Sequence, residues 1–253
     1  YKTGLNVTFT PKISANKAGS GLHIHMRFMK NGKNMMLENG AISDTAHKAI
    51  AGMMELAQAI TAFGNKNPSS YFRLVPHQEA PTNVCWGDCN RSVLVRVPLG
   101  WTTKADMCRS ANPLENPSDF DTTVKQTVEM RSPDGSADLY QLLAGLCVAC
   151  RHGFEIDNAL QIAKRTYVNV DIHKPQFSDK LKELAQLPDS CSASADCLQS
   201  KRSVFEKYNV FSPSMIDGII KDLKSYHDET LRSEMKDNKE EMHALVFRYF
   251  HCG

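Results

Sequence analysis

Polar and apolar residues alternate along four short segments within the first 132 residues. Residues 5–11, L-N-V-T-F-T-P, are rich in β-forming side chains and end at a proline, so a strand is predicted there. Residues 22–29 predict a second strand, and the Asn-Gly pair at positions 31 and 32 predicts a hairpin turn after it. Residues 91–98 and 126–132 alternate in the same way. We expect strands from these segments to share a sheet.

Helical spacing of apolar residues occupies much of the remaining chain. Ser43 is predicted to cap a helix that runs to Gly64. A second helix, over 136–154, is apolar on most sides and is therefore expected to be buried. After residue 155 the pattern becomes amphipathic and predicts helices over 158–166, 178–186, 195–208, 213–225 and 228–250.

Loops are predicted where proline, glycine and asparagine concentrate. Residues 71–75 are predicted to be a short extended segment, followed by a long loop over 76–88. A second polar loop, over 99–125, separates the last two predicted strands. Long loops without structure of their own are often functional, so both regions are candidates for a binding site.

Composition and charge exclude several classes of protein. The 253 residues are 42% hydrophobic and 23% charged, which is typical of a globular protein with a substantial core. The net charge of +2 gives no general attraction to nucleic acid. The sequence contains no run of about 18 apolar residues and no charged-then-apolar leader, so neither a membrane span nor secretion is predicted.

The eight cysteines fit a reducing compartment. Cys147 and Cys150 fall in the apolar run L-L-A-G-L-C-V-A-C, where free cysteines act as small core residues, although C-x-x-C spacing also occurs in redox and zinc sites. Cys85 and Cys89 have no second pair at zinc-finger spacing. We therefore expect a cytoplasmic protein with reduced thiols.

The segment from position 19 to 26, G-S-G-L-H-I-H-M, is the first candidate for chemistry. On a regular strand His23 and His25 point to the same face, because successive side chains alternate. The glycines at positions 19 and 21 leave room for a ligand close to the backbone. The pair is either a metal or ligand site, or two half-exposed strand residues.

Charged residues on the later predicted strands are the second candidate. Glu129 and Arg131 are two positions apart and so share a face, either as a simple ion pair or as part of a site. Arg91 and Arg96 are an odd number of positions apart, which places Arg91 in the loop before the strand. Arginine offers a planar fork of donors that fits carboxylate and phosphate.

Four ordered segments together resemble a known enzyme family. They are G-S-G-L-H-I-H (19–25), S-Y-F-R-L-V-P-H-Q-E-A-P (70–81), N-R-S-V-L-V-R-V-P (90–98) and V-E-M-R-S-P-D (128–134). In order and approximate spacing they are similar to the carboxy-terminal part of the glutamine synthetase catalytic domain. The resemblance is clear over more than a hundred residues and becomes loose after about residue 160.

The resemblance implies a reaction and its cofactors. Members of that family join ammonia to the side-chain carboxylate of glutamate, using ATP and passing through γ-glutamyl phosphate, with Mg2+ or Mn2+. By motif position, His23 and Glu129 would bind the metal that bridges the ATP phosphates. His25 would lie beside ATP, Arg96 would contact its phosphates, and Arg91 would contact phosphate and stabilise the phosphoryl group in transfer.

The resemblance also assigns the amino-acid side of the site. Gly19 would offer backbone groups to glutamate, and Arg73 and Arg131 would hold its carboxylates. Glu79 would close over the site and accept a proton from ammonium. The low-water pocket that this requires suits an acyl phosphate that must meet ammonia before water.

The implied fold is α+β: a curved antiparallel sheet with packed helices, followed by a helical carboxy-terminal region. Residues 1–157 are assigned to a partial catalytic domain of the glutamine synthetase and guanido kinase type, and 158–253 to a helical extension of the same domain. Ring-shaped homo-oligomers are expected of the parent protein, with no nucleic-acid or membrane partner.

The chain begins at Tyr1 rather than methionine, and its first residues lead at once into a predicted strand, which suggests a piece of something longer. In the family the amino-terminal domain and most metal-binding carboxylates lie upstream of this point, and one histidine and one glutamate cannot satisfy two hard divalent cations. We therefore expect the 253-residue chain alone to be inactive. Two other functions fit the same residues: a ligase that couples glutamate to a polyamine or another amine, and a non-catalytic relative used for oligomer building or regulation.

Overall fold

A mixed four-stranded sheet lies beside the helices in the computed structural model. The structure describes residues 2–14, 17–76, 78, 80–98, 107–116, 122–169, 182–235 and 238–251. The strands are β1 (Ile24–Met26), β2 (Met29–Lys30), β3 (Lys33–Asn34), β4 (Leu37–Glu38), β5 (Ala41–Ile42), β6 (Trp86–Asp88), β7 (Val95–Val97) and β8 (Val128–Met130). The α+β class predicted from the sequence is confirmed.

The sheet has the order β1-β8-β7-β6. The β1–β8 and β8–β7 pairs are antiparallel as predicted, but β6 and β7 are parallel, so the expectation of an antiparallel sheet was wrong at this edge. Strand β6 was itself predicted as loop. Next to this pair, the amides of Leu94 and Val95 both donate to the carbonyl of Cys85, at 3.0 and 3.1 Å. These bonds connect the start of β7 to the residue before β6.

Burial alternates without a break along 21–29, as the sequence pattern predicted. The even-numbered side chains, Leu22, Ile24, Met26 and Phe28, pack against the core, and the odd-numbered ones face solvent. A hairpin follows, in which the two turn residues at 31 and 32 have φ values of 50° and 77°. The asparagine and glycine there suit this left-handed backbone, which confirms the predicted turn.

The strand predicted over 5–11 is absent from the structure. Leu5, Val7 and Phe9 are 65–67% exposed, and no residue that the structure describes pairs with this segment as a strand. The segment is bound to the end of the chain by side-chain hydrogen bonds instead: the hydroxyls of Thr8 and Thr10 donate to the backbone carbonyls of residues 250 and 249. A β-forming sequence becomes a strand only where a neighbouring strand completes its hydrogen bonds.

Ten α-helices are assigned within the described ranges. They are α1 (Asp44–Glu55), α2 (Ala57–Gly64), α3 (Pro68–Arg73), α4 (Met107–Ala111), α5 (Leu139–Glu155), α6 (Ala159–Thr166), α7 (Cys191–Glu206), α8 (Pro213–Lys224), α9 (Leu231–Glu234) and α10 (Lys239–Arg248). None of the helices in the described part of the chain is long and apolar enough to cross a bilayer.

The helix predicted from Ser43 to Gly64 is two helices, α1 and α2. Ser43 caps the first as predicted, accepting from the amide of Ala46, and the break falls at Leu56, with φ −106° and ψ 6°.

The extended segment predicted at 71–75 was wrong, because α3 covers most of it. Asn67 caps α3 and Pro68 occupies its first turn, two start signals that outweigh the β-forming residues that follow.

Helix α5 packs closely on α1 but is not wholly buried. A Cβ atom at Gly52 of α1 would collide with the carbonyl of Ala149, and one at Gly153 would collide with the carbonyl of Lys48, so both glycines permit this approach. The opposite side of α5 faces solvent, with Tyr140 89% exposed and Cys147 exposed, which corrects both predictions of burial.

The later helices differ from the predictions mainly at their ends. Helix α7 starts four residues before the predicted 195 and is followed by a 3₁₀ turn over Lys207–Asn209. The helix predicted over 228–250 is divided into α9 and α10. Residues 99–106 and 117–121 of the predicted loop and the first four residues of the helix predicted at 178–186 lie outside the described residues.

Candidate functional site

Glu129 lies at the centre of the sheet, with a titratable residue on each neighbouring strand. In the strand register it is opposite His25 on β1 and opposite Arg96 on β7. Residues opposite each other on adjacent strands point to the same face. The alternation of β1 adds His23 to that face, so three predicted site residues gather around the carboxylate.

The contacts of Glu129 confirm that these side chains meet. Arg96 places Nε at 2.8 Å and Nη2 at 2.6 Å from Oε2. His23 Nδ1 lies 2.7 Å from Oε1, Arg131 Nε lies 3.5 Å from Oε1, and His25 Nε2 lies 3.8 Å from Oε2. The side chain of Glu129 has no exposure to solvent, while those of the two histidines are 36% and 49% exposed. A buried anion is thus surrounded by cationic or protonatable groups.

The environment of this cluster shifts its proton equilibria. Burial lowers the pKa of His23; the carboxylate of Glu129 opposes that shift, and nearby arginines reinforce it. Burial likewise lowers the pKa of Arg131, against the attraction of Glu129. Lowering the pKa of an imidazole favours its neutral form, which has a lone pair available for a cation.

Arg131 supports the loop that leads into β7. Its Nη1 donates to the carbonyl of Arg91 and, at 3.1 Å, to the carbonyl of Val93. Arg91 itself lies in the turn before the strand, as predicted, and its side chain is exposed. Arg131 therefore fixes the backbone that presents the Arg91 guanidinium to solvent.

Arg73 is a buried residue in the described structure. It is 3% exposed and donates to three backbone carbonyls at the end of β8: Ser132 at 2.7 Å, Arg131 at 3.1 Å and Pro133 at 3.3 Å. Burial lowers its pKa, and the carboxylate of Asp134 opposes that shift. Its contacts tie α3 to the strand that carries Glu129.

The glycines of the histidine motif pack directly on Arg73. A Cβ at Gly21 would collide with Nη2 of Arg73, and a Cβ at Gly19 would meet its Cγ at 3.0 Å and collide with the carbonyl of Pro11. The sequence suggested that these glycines leave room for a ligand. In the structure that room is taken by the Arg73 side chain and, at Gly19, also by the carbonyl of Pro11. Glu79, the other predicted catalytic residue, lies outside the described residues.

Four polar residues that support the site, Asn65, Thr127, Asp134 and Ser136, were not identified from the sequence. Asp134, fully buried, accepts from Asn65 Nδ2 at 2.8 Å and from the amide and hydroxyl of Ser136 at 3.0 and 2.6 Å. Thr127 Oγ1 lies 3.2 Å from His25 Nδ1. The Pro-Asp-Gly-Ser sequence, typical of a turn, was a signal for the hydrogen bonds around Asp134. The two-residue spacing of Thr127 from Glu129 was a signal that Thr127 lies on the same face of the sheet as the site.

Comparison with known proteins identifies the family. A family model described as the glutamine synthetase catalytic domain matches residues 1–243. The chain belongs to the glutamine synthetase family. Among curated relatives, the glutamine synthetases of Pyrococcus abyssi and Azotobacter vinelandii are 30% and 32% identical over 250 and 232 residues, covering 98% and 91% of this chain but 51% and 44% of their own lengths.

Solved structures support the same fold. A cryo-EM structure of Plasmodium falciparum glutamine synthetase aligns with a TM-score of 0.62 at 22% identity, and a ligand-free structure of a protein named GmaS aligns with a TM-score of 0.66 at 21% identity. They cover 93% and 94% of this chain and 49% of each of those chains. The chain thus spans about half the length of the family members it matches.

The described residues supply only some of the ligands for the metal ion that this family implies. Within the ranges that the structure describes, no group of three or more histidine, cysteine, aspartate or glutamate side chains could hold an ion. His23 and Glu129 supply two donors, and Glu129 is already engaged by Arg96. Because hard divalent cations take about six ligands, mostly oxygen, these two residues do not fit a complete metal site.

Proposed function

We propose that this chain forms the carboxy-terminal half of the active site of an ATP-dependent ligase that joins ammonia to glutamate through γ-glutamyl phosphate. The observation that carries the proposal is the burial of Glu129 among Arg96, Arg131 and His23 on one face of the sheet. Membership of the glutamine synthetase family supports it.

Phosphoryl transfer to a carboxylate brings several negative oxygens together, so the site must supply positive charge at fixed positions. Arg96 is held by Glu129 and still has 24% of its side chain exposed, while Arg91 is exposed on a turn fixed by Arg131. In the proposal Arg96 binds nucleotide phosphate, and Arg91 binds phosphate and stabilises the group in transfer. His25, half-exposed beside them, lies next to the nucleotide.

His23 and Glu129 are proposed to contribute two ligands to a Mg2+ or Mn2+ ion, which would neutralise phosphate charge when bound. The remaining ligands must come from outside the described residues. The neutral form favoured at His23 is the form that can ligate a cation.

The glutamate side of the proposal rests on Gly19, Arg73 and Arg131. Because both guanidiniums donate to backbone carbonyls, their first effect is to position the site, and contact with a substrate carboxylate must use donors left free by those bonds. Glu79 is proposed to cover the site and accept the proton of ammonium. The assignment of residues 1–157 and 158–253 to one catalytic domain and its extension remains a prediction.

The incomplete ligand set leads us to propose that the chain alone does not make glutamine, and that activity and ring assembly belong to a longer protein. Calorimetry of the chain with ATP and Mg2+ tests the site. We expect weak binding that Arg96→Gln reduces at least fivefold and that the control Arg202→Gln leaves unchanged, since Arg202 lies on α7 and pairs with Glu206 and Asp217.

Two outcomes would contradict these proposals. No detectable heat with ATP would overturn the assignment of a ligase site and favour a non-catalytic relative. Robust phosphate release by the isolated chain with glutamate, ammonia and ATP would overturn the claim that it is inactive alone.

A further inference from the structure

A buried lysine lies at the junction of two loops that lead to the candidate site. Lys12 is 1% exposed, and its Nζ donates to the backbone carbonyl of Lys17 and to Oε1 of Gln78. Both acceptors are neutral groups. The residues that the structure describes supply no carboxylate within ion-pair distance of this amine.

Each acceptor belongs to a different loop of the site. Lys17 comes two residues before Gly19, and Gln78 directly precedes Glu79 in the sequence. The residue before Lys12 joins the first loop a second time, because the carbonyl of Pro11 accepts from the amide of Ser20 at 2.9 Å. Lys12 is therefore a side-chain connection between the histidine-motif loop and the segment that contains Glu79.

Packing around Gln78 is incomplete on one side. A cavity of about 470 Å³ is lined in part by Lys12, Phe72, Gln78 and Met242. Gln78 is half-buried at the border of this cavity, and its side-chain oxygen accepts the hydrogen bond from Lys12. Removal of this bond should release Gln78 and leave the core intact.

Keeping an amine in this place has an energetic cost. Burial lowers the pKa of Lys12 to about 8, and the nearby charge of Arg73 adds to the shift. An apolar side chain of similar length, such as methionine, would avoid that cost but could donate no hydrogen bond. The donor function of Lys12 thus distinguishes it from a core-filling residue.

We infer that Lys12 is a positioning residue that holds Gln78 against the loop containing Gly19. The consequence for catalysis rests on the proposed function, because it depends on the role of Glu79. The link between the two loops does not depend on that role.

Hydrogen exchange of the 253-residue chain, followed by mass spectrometry, tests the link. In Lys12→Met we expect exchange about tenfold faster in peptides that contain Gln78 and in peptides that contain residues 17–20, and no change in α5. Gln78→Leu should release the Gln78 peptides to a similar degree, and adding Lys12→Met should increase their exchange no further. Gln78→Glu keeps an acceptor oxygen and should retain the protection. Lys17→Met is the matched control, because only the backbone carbonyl of Lys17 takes part.

Exchange in Lys12→Met that matches the unsubstituted chain in both regions would overturn the inference. If Lys12→Met does not fold, Gln78→Leu decides alone, since Gln78 is only half-buried, and unchanged exchange there would again overturn it. Failure of ATP binding would overturn the proposed function without changing the exchange result, so the two failures can be told apart.

Discussion

Arg96 and Glu129 lie directly opposite each other on β7 and β8, and two guanidinium nitrogens approach the same carboxylate oxygen, Oε2, at 2.8 and 2.6 Å. Two nitrogens of one guanidinium that approach the same buried oxygen fix the orientation of both side chains. The carboxylate is inaccessible to water, so removing a partner would leave a buried polar group without its hydrogen bonds. The pair therefore contributes both to the stability of the sheet and to the geometry of the site.

Glu129→Gln should lower the free energy of unfolding by about 3 kcal/mol, because it leaves Arg96 and Arg131 without their counter-charge. Urea unfolding at pH 7 measures this. Glu55→Gln is the control, since Glu55 pairs with Lys201 at 3.0 Å on the surface, where such a pair contributes about 0 to 1 kcal/mol. Equal effects of the two substitutions would contradict the central role given to Glu129.

Arg73 and Arg91, two of the four arginines predicted to contact substrate or phosphate, should affect stability differently. Arg73→Gln should destabilise the chain by about 3 kcal/mol, because three carbonyls at the end of β8 lose a charged donor. Arg91→Gln, on an exposed side chain, should change stability by less than about 0.5 kcal/mol. Thermal and urea unfolding of both variants check this, and a neutral Arg73→Gln would refute the positioning role of Arg73.

Gly19→Ala should destabilise the chain by about 2 kcal/mol, because the new Cβ collides with the carbonyl of Pro11 and crowds the stem of Arg73. Gly218→Ala makes the same chemical change within α8, where nothing lies within 4 Å of the new atom. There helix propensity should raise stability by about 1 kcal/mol. Opposite signs in urea unfolding are the expected result, and a loss at both positions would contradict it.

Lys12 should make stability depend on pH between about 8 and 10.5. Its pKa is about 8 in the folded chain and close to 10.5 when unfolded, so in this window the unfolded chain binds the extra proton. Stability then rises with pH, because deprotonation removes the penalty for burying a charge. The difference in free energy of unfolding between the unsubstituted chain and Lys12→Met should therefore increase from pH 8 to pH 10. A difference that stays constant across this range would contradict it.

The sequence by itself determined the local features of this protein. Alternation placed His23 and His25 on one exposed face, the asparagine at 31 and glycine at 32 formed the predicted turn, and Ser43 capped the predicted helix. Motif order also indicated the family. These features depend on side-chain periodicity and on backbone preferences that act within a few residues.

Tertiary structure alone decided which side chains meet and which polar groups are buried. No local signal shows that Arg73 binds the carbonyls at the end of the strand carrying Glu129 or that β6 runs parallel to β7. Nor does any show that residues 5–11 pair with no strand in the part of the chain that the structure describes. Those outcomes depend on contacts between residues far apart in the chain. A buried polar group or an unpaired strand is favourable or costly only according to what the rest of the fold places beside it.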